Sequence, residues 1–280
     1  MKTPLISSQP THPASICDSP KMAAVEDLWW DKSGFWFGLH TLYDPVRIPY
    51  FRAALAGLKD RNKHPRLLDV GSGAGFAAAG LSDTAETMVL DRSFDPVSQA
   101  GPSGARFAVV ADAEHLPVID GHFDAVVASE MLEHVDHPAR VVEEAARVTK
   151  LGGLLLFSTP TRTLWSRLFL ISAAQRWSLT RTLPHDLHNW DSFLTAAEMT
   201  GLLDRYGFQL LHISGIGMSP AAVPGAVRAL WSLKTGRIAF GEAGERIRLS
   251  LTRSTRLAMI GVARRVEGPS IHRLEPTHAE

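Results

Sequence analysis

The chain has 280 residues, 45% hydrophobic and 21% charged, the balance of an ordinary globular protein with a sizeable core. Its 29 basic and 29 acidic residues cancel, so no global field favours nucleic acid as a partner. A single cysteine, Cys17, excludes a disulfide within the chain and fits the reducing cytoplasm.

Residues 1–21 carry prolines and serines but no apolar core, so they read as a disordered leader and not as a secretory signal. Residues 22–64 are rich in aromatic side chains, among them Trp29, Trp30, Trp36 and Tyr43, and are expected to form a helical cap. Residues 65–160 alternate apolar runs with turn signals and helical patterns. Strands are predicted at 66–70, 87–90, 106–110, 123–128 and 154–158. A helix is predicted over 138–150, with Asp136 as its cap and Gly152 and Gly153 beyond its end. Residues 161–205 then interrupt the alternation as a mostly helical insertion. Two last strands follow at 208–214 and 258–264, inside a unit spanning 206–268, and residues 269–280 form a tail. The excursion over 215–257 is too long for a hairpin and is expected to hold extra helix. Excursions of that length in compact domains are commonly lids or binding elements. The predicted fold is α/β, a doubly wound, seven-stranded, mostly parallel sheet of Rossmann-like type with helical lid insertions. The most apolar run, residues 168–174, is far too short to cross a bilayer.

The first strand leads into LDVGSGAG at residues 68–75. Glycines there let the backbone pass close to a ligand, and the next helix offers free N–H groups. A glycine turn alone also fits a dehydrogenase, or no ligand. The dinucleotide fingerprint, however, wants a glycine where this chain has the bulky Phe76. Acidic residues at successive strand ends narrow the choice. Asp91 ends the second strand, where a carboxylate can accept hydrogen bonds from both ribose hydroxyls. Asp112 follows the third, where it can take an adenine amino hydrogen while the neighbouring Ala113 N–H serves a ring nitrogen. Asp69 and the end of the fourth strand near Ser129 lie where a methionine ammonium would sit. Open α/β sheets bind ligands at this edge, and the pattern points to S-adenosylmethionine.

These residues, with the KLGG turn at 150–153, resemble the class I methyltransferases. Within them the chain is similar to the ubiquinone-biosynthesis O-methyltransferases, which methylate polyprenylated catechol-type phenols. The resemblance covers about residues 25–215. Its most specific carriers are Trp29, Trp30 and Asp31 with Gly34, and the segment SEMLEHV at 129–135. Leu39 and His40, the DPVR segment at 44–47, FSTP at 157–160 and HNWDSF at 188–193 add to it. The chain also departs from the family. Ser72 stands where a cysteine is usual, Leu151 where a proline is, and Ser129 where a methionine is. Residues 221–250 have no evident counterpart, so a specialised metabolite is as good an acceptor as a quinone precursor. The resemblance implies that Arg47 pairs with the methionine carboxylate, that Gly71 and Gly73 give the backbone approach, and that Ser129 makes a backbone contact with the cofactor.

A phenol needs help losing its proton, and His188, His134 and His185 are the candidates, His188 being best placed by the resemblance. Residues 163–183 carry Leu164, Trp165, Leu168, Phe169 and Trp177 with three arginines and no acid. They read either as core packing or as a lid over a greasy small-molecule acceptor, able to touch the inner membrane peripherally. Oligomeric state is not legible. If the chain from Glu130 onward is helical, Glu130, Glu133 and His134 share one face and could hold a divalent cation. The resemblance implies magnesium, which fits the carboxylates, whereas zinc or manganese would suit the histidine better; the other reading leaves His134 as a pocket residue or proton acceptor. Carbon or nitrogen methylation, or a catalytically silent role in a biosynthetic complex, are the rival functions.

Overall fold

The computed structural model describes residues 28–58, 64–178, 181–184 and 187–267. The leader with Cys17, the tail from residue 269 and His185 therefore lie outside the described residues. The first element is α1 (Phe35–Leu55), a 21-residue helix that keeps two prolines, Pro45 and Pro49, inside it. A proline in a helix interior costs about 3 kcal/mol, so packing must hold this helix together. Phe51 and Leu55, both buried, supply it, each contributing roughly 1.5–3 kcal/mol.

The alternation then runs β1 (Arg66–Val70), α2 (Phe76–Leu81), β2 (Glu86–Asp91), α3 (Phe94–Ser98), β3 (Phe107–Val110), β4 (Phe123–Ser129), α4 (Pro138–Val148) and β5 (Thr149–Pro160). Next come α5 (Leu164–Ser166), continued by a π-helical stretch Arg167–Arg176, then α6 (Ala196–Arg205) and β6 (Phe208–Gly217). The last elements are α7 (Val223–Lys234), α8 (Phe240–Arg246), β7 (Ser250–Thr252) and β8 (Ala258–Arg265). Strand order is β3-β2-β1-β4-β5-β8-β6-β7. Strands β3, β2, β1, β4 and β5 pair in parallel, while β8 runs antiparallel to both of its neighbours.

The sheet separates two apolar layers because successive side chains of its strands point to opposite faces. Leu68, Val126, Leu155 and Phe157 pack under α4 and α6 with Val141, Val142, Met199 and Leu203. Leu67, Ala125, Val127, Leu154 and Leu156 pack under α1 and α2 with Phe51, Leu55 and Leu81. With both faces covered, the sheet's own ligand-binding side chains project from its C-terminal edge.

Two expectations change. The sheet has eight strands, because β7 forms inside the long excursion and pairs antiparallel with the end of β6. Asp136 does not cap α4: His137 occupies that place without a side-chain bond, Pro138 takes the first turn, and the helix stops at Val148. Among the described residues of 161–205 most are helical, in stretches at 164–176, 190–192 and 196–205.

Candidate active site

At the C-terminal edge, Gly71, Gly73 and Gly75 all have positive φ, between +55° and +81°. A Cβ on Gly73 would stand 2.5 Å from the Trp29 ring, so glycine is required for space as well as for conformation. Trp29 stacks on Trp36 with ring centroids 4.4 Å apart, and this pair covers the turn. The Asp91 carboxylate accepts the Gly73 N–H at 2.9 Å through Oδ2 and the Ser93 N–H at 2.9 Å through Oδ1. Each oxygen keeps a lone pair for a further donor. Asp112 accepts the Glu114 N–H and remains 60% exposed, with Ala113 buried beside it. Gly71, Gly73, Trp29, Asp91, Asp112 and Ala113 line one cavity of about 990 Å³, together with Arg47, Asp69, Ser129, Glu130, Glu133, His134 and His188.

Asp69 is 2% exposed, and its Oδ2 has no hydrogen-bond partner. Burial, partly offset by Arg47, pushes this carboxyl up to about 7. An unsatisfied carboxylate at the cofactor end of the cavity suits a cationic group. Arg47, buried on α1, is held by the Asp44 carboxylate and donates from Nη1 to Ser129 Oγ at 2.8 Å. Ser129 Oγ lies 2.7 Å from Ser158 Oγ, which donates to Glu130 Oε1 at 2.7 Å. The serine that replaces the family's usual methionine thus links the arginine to a glutamate.

The shared helical face expected for Glu130, Glu133 and His134 does not form. Glu130 sits at φ +54°, a left-handed conformation costing a side-chain residue on the order of 1–3 kcal/mol, and only one 3₁₀ turn, Leu132–His134, follows it. Among the described residues, the ligand atoms that gather within 4.8 Å of one another come from Glu133, His134 and His188. Glu130 is not among them. Glu133 accepts from Thr159 Oγ1 at 2.9 Å, while its Oε1 is buried, lacks a hydrogen bond and lies 3.9 Å from His134 Nε2. Burial pushes both glutamates up to about 7, the Glu133 charge adding to the effect on Glu130. Burial lowers the His134 imidazole. It takes His188, whose ring lies 5.4 Å from that of His134, down to about 3. His188 is therefore neutral at pH 7 and a weak proton acceptor, which argues against it as the general base.

Two residues at this end carry no motif. Tyr43 lines the cavity one helical turn before Arg47 on α1, and burial, with Glu130 and Glu133 beyond it, pushes its phenol up. The i, i+4 spacing to Arg47 was a usable signal for it. Gln175 is 0% exposed and bonds His188 across thirteen positions of partly irregular chain, for which nothing local gives notice. The apolar walls come from Phe169, Leu170 and Leu183 on one side and Val223, Val227 and Leu230 on the other. Of the π-helical stretch only Ile171 and Gln175 are buried, whereas Trp165 and Phe169 are 47% and 48% exposed. The stretch lines the cavity through Phe169, Leu170 and Ala174.

A methyltransferase-domain family model matches residues 45–213. The chain is 32% identical over 207 residues to the ubiquinone biosynthesis O-methyltransferase of Escherichia coli (strain HS), covering 71% of this chain and 83% of that protein. The chain belongs to the S-adenosylmethionine-dependent methyltransferases. Solved structures agree on the fold. A chain from the Haloferax volcanii complex of the Trm112 methyltransferase activator with a methyltransferase superposes with TM-score 0.55 at 20% identity, covering 84% of this chain and 96% of that one. The Bacillus subtilis YcgJ protein does so with TM-score 0.51 at 19% identity, covering 79% and 99%. In this methyltransferase the cofactor is S-adenosylmethionine, and the edge carrying Gly71, Gly73, Asp91 and Asp112 is where such a sheet binds it. Among the described residues no helix is long and apolar enough to cross a membrane.

Proposed function

We propose that this methyltransferase O-methylates a phenolic or otherwise hydroxylated, largely apolar small molecule. The observation that carries the reading is the cluster of Glu133, His134 and His188, one carboxylate and two imidazoles facing a cavity with apolar walls. In the transfer, the acceptor oxygen forms a bond to the methyl carbon as the carbon–sulfur bond breaks. The sulfonium leaves as S-adenosylhomocysteine, and the phenolic proton goes to a residue of the site. Glu133 suits that task best, because a carboxyl near 7 is matched to the working pH. His188 and His134, both neutral, orient the hydroxyl by hydrogen bonding. Arg47 and Asp69 take the methionine carboxylate and ammonium, Asp91 the ribose, Asp112 and Ala113 the adenine, and Ser129 adds a backbone contact.

Holding the acceptor in line and excluding water supply most of the acceleration. A divalent cation fits the orphaned Glu133 Oε1 with His134 and His188. Two imidazoles suit manganese or zinc better than the magnesium that the resemblance implies. When bound, such an ion would lower the hydroxyl pKa and aim the oxygen. We place the enzyme in the cytoplasm, touching membrane lipid peripherally through the exposed Trp165 and Phe169.

The test is transfer of a labelled methyl group to catechol-type phenols and to their fully O-blocked analogues, with and without exhaustive chelation. Label on oxygen of the free phenols alone is expected. Label on carbon or nitrogen overturns the O-methylation reading, and cofactor binding with no turnover favours a silent role. Full turnover in chelator removes the metal.

A further inference from the structure

His188 reaches the cavity from an irregular segment, yet its ring is fixed from behind by one side chain. Gln175 lies in the π-helical stretch Arg167–Arg176, where the Trp177 N–H reaches back five residues to the Ser172 carbonyl at 2.8 Å. That wide turn buries Gln175 and Ile171 together, and π turns of this kind recur at functional sites. Three hydrogen bonds join Gln175 to His188. The His188 backbone N–H donates to Gln175 Oε1 at 2.8 Å, and Gln175 Nε2 donates to the His188 carbonyl at 3.1 Å. His188 Nδ1 lies 2.9 Å from the same Oε1.

The backbone settles the chemistry of the third bond. An amide N–H can only donate and a carbonyl can only accept, so the Gln175 side chain has one permitted orientation, with Oε1 toward Nδ1. An amide oxygen can only accept, so Nδ1 must carry the hydrogen. A neutral imidazole with a hydrogen on Nδ1 has its lone pair on Nε2. We infer that Gln175 is a positioning residue that locks His188 in the Nδ1–H tautomer, leaving Nε2 as a fixed acceptor for the hydroxyl of the substrate or for a cation. The inference rests on the proposed O-methylation only for what Nε2 meets. Without the lock, a neutral histidine favours the opposite tautomer, whose Nε2–H would point a donor where the site needs an acceptor.

The test reads the tautomer directly, by long-range ¹H–¹⁵N correlation spectra of the ¹⁵N-histidine-labelled full chain without acceptor, with His188→Gln for assignment. Wild type should show the Nδ1–H pattern at His188. Gln175→Met should shift His188 toward Nε2–H, whereas Gln175→Glu, which still offers an acceptor to Nδ1, should keep Nδ1–H. With a catechol-type phenol, Gln175→Met should lower kcat by about 10–100-fold, the usual effect of losing such a support, with cofactor Kd unchanged and partial rescue in Gln175→Glu. An Nε2–H pattern in the wild type, or an unaltered Nδ1–H pattern in Gln175→Met, overturns the inference. If Gln175→Met does not fold, the wild-type pattern and that of Gln175→Glu decide the matter alone. Inactivity toward every phenol counts against the functional reading and leaves the tautomer result standing.

Discussion

Asp91 Oδ2 accepts the Gly73 N–H at 2.9 Å, so the carboxylate at the end of β2 braces the glycine turn after β1. One side chain therefore shapes the turn and lines the cavity, where we propose that it takes the ribose. Asp91→Ala should weaken S-adenosylmethionine binding by about 1.5–3 kcal/mol, through the loss of charge-assisted hydrogen bonds. Titration calorimetry on the folded variant checks this, and unchanged affinity would remove Asp91 from the site.

Arg47→Lys keeps the charge but not the planar fork. Arg47 uses Nε and Nη2 on Asp44 and Nη1 on Ser129, and one ammonium cannot span that set. Cofactor affinity should fall about tenfold, near 1.4 kcal/mol, with a lower melting temperature. An affinity equal to the wild type would show that Arg47 is structural only.

Asp69 makes stability depend on pH. Its carboxyl stands at about 7 in the folded protein against an ordinary value of 3.8. Below 3.8 both states are protonated. As pH rises from there to about 7, the unfolded chain releases this proton while the folded chain holds it, and stability is lost across that window, by up to about 4 kcal/mol. Asp69→Asn should therefore flatten the dependence of the melting temperature on pH, matching the wild type near pH 4 and exceeding it at pH 8. Parallel pH profiles for the two proteins would refute the assignment.

Trp165 and Phe169 stack with ring centroids 5.9 Å apart, half-exposed, and Phe169 lines the cavity. Replacing both with alanine should raise the acceptor KM while leaving cofactor affinity intact, and should reduce co-sedimentation with anionic liposomes. Unchanged co-sedimentation, or none by the wild type, would remove the lipid contact. Unfolding would return these residues to the core.

The legible parts of this protein are those where local chemistry and global fold agree. Phe123 to Ala128 reads as a strand because an apolar run follows the turn at Gly121, and Asp69 and Asp91 are placed by the strands that carry them and Asp112 by the strand before it. Strand β7 is not legible, since Ser250, Leu251 and Thr252 carry no pattern and their pairing depends on the distant β6. The shared helical face drawn for Glu130, Glu133 and His134 does not form because Glu130 takes a positive φ that helical spacing does not anticipate, whereas Glu133 and His134 do lie together, beside His188. Gln175 escaped for a similar reason: its partner lies thirteen residues away beyond a π turn.

The row from Arg47 through Ser129 and Ser158 to Glu130 has a consequence for where a proton can reside. An arginine is always a donor, so one lone pair of Ser129 Oγ is always taken. While Glu130 is ionised, its Oε1 accepts from Ser158, and Ser158 accepts from Ser129. Ser129 keeps a second lone pair, so a proton taken up on Oε1 turns both hydroxyls around and leaves Arg47 untouched. A permanently charged residue on the first helix thus anchors a row of hydroxyls whose direction follows the charge of a glutamate.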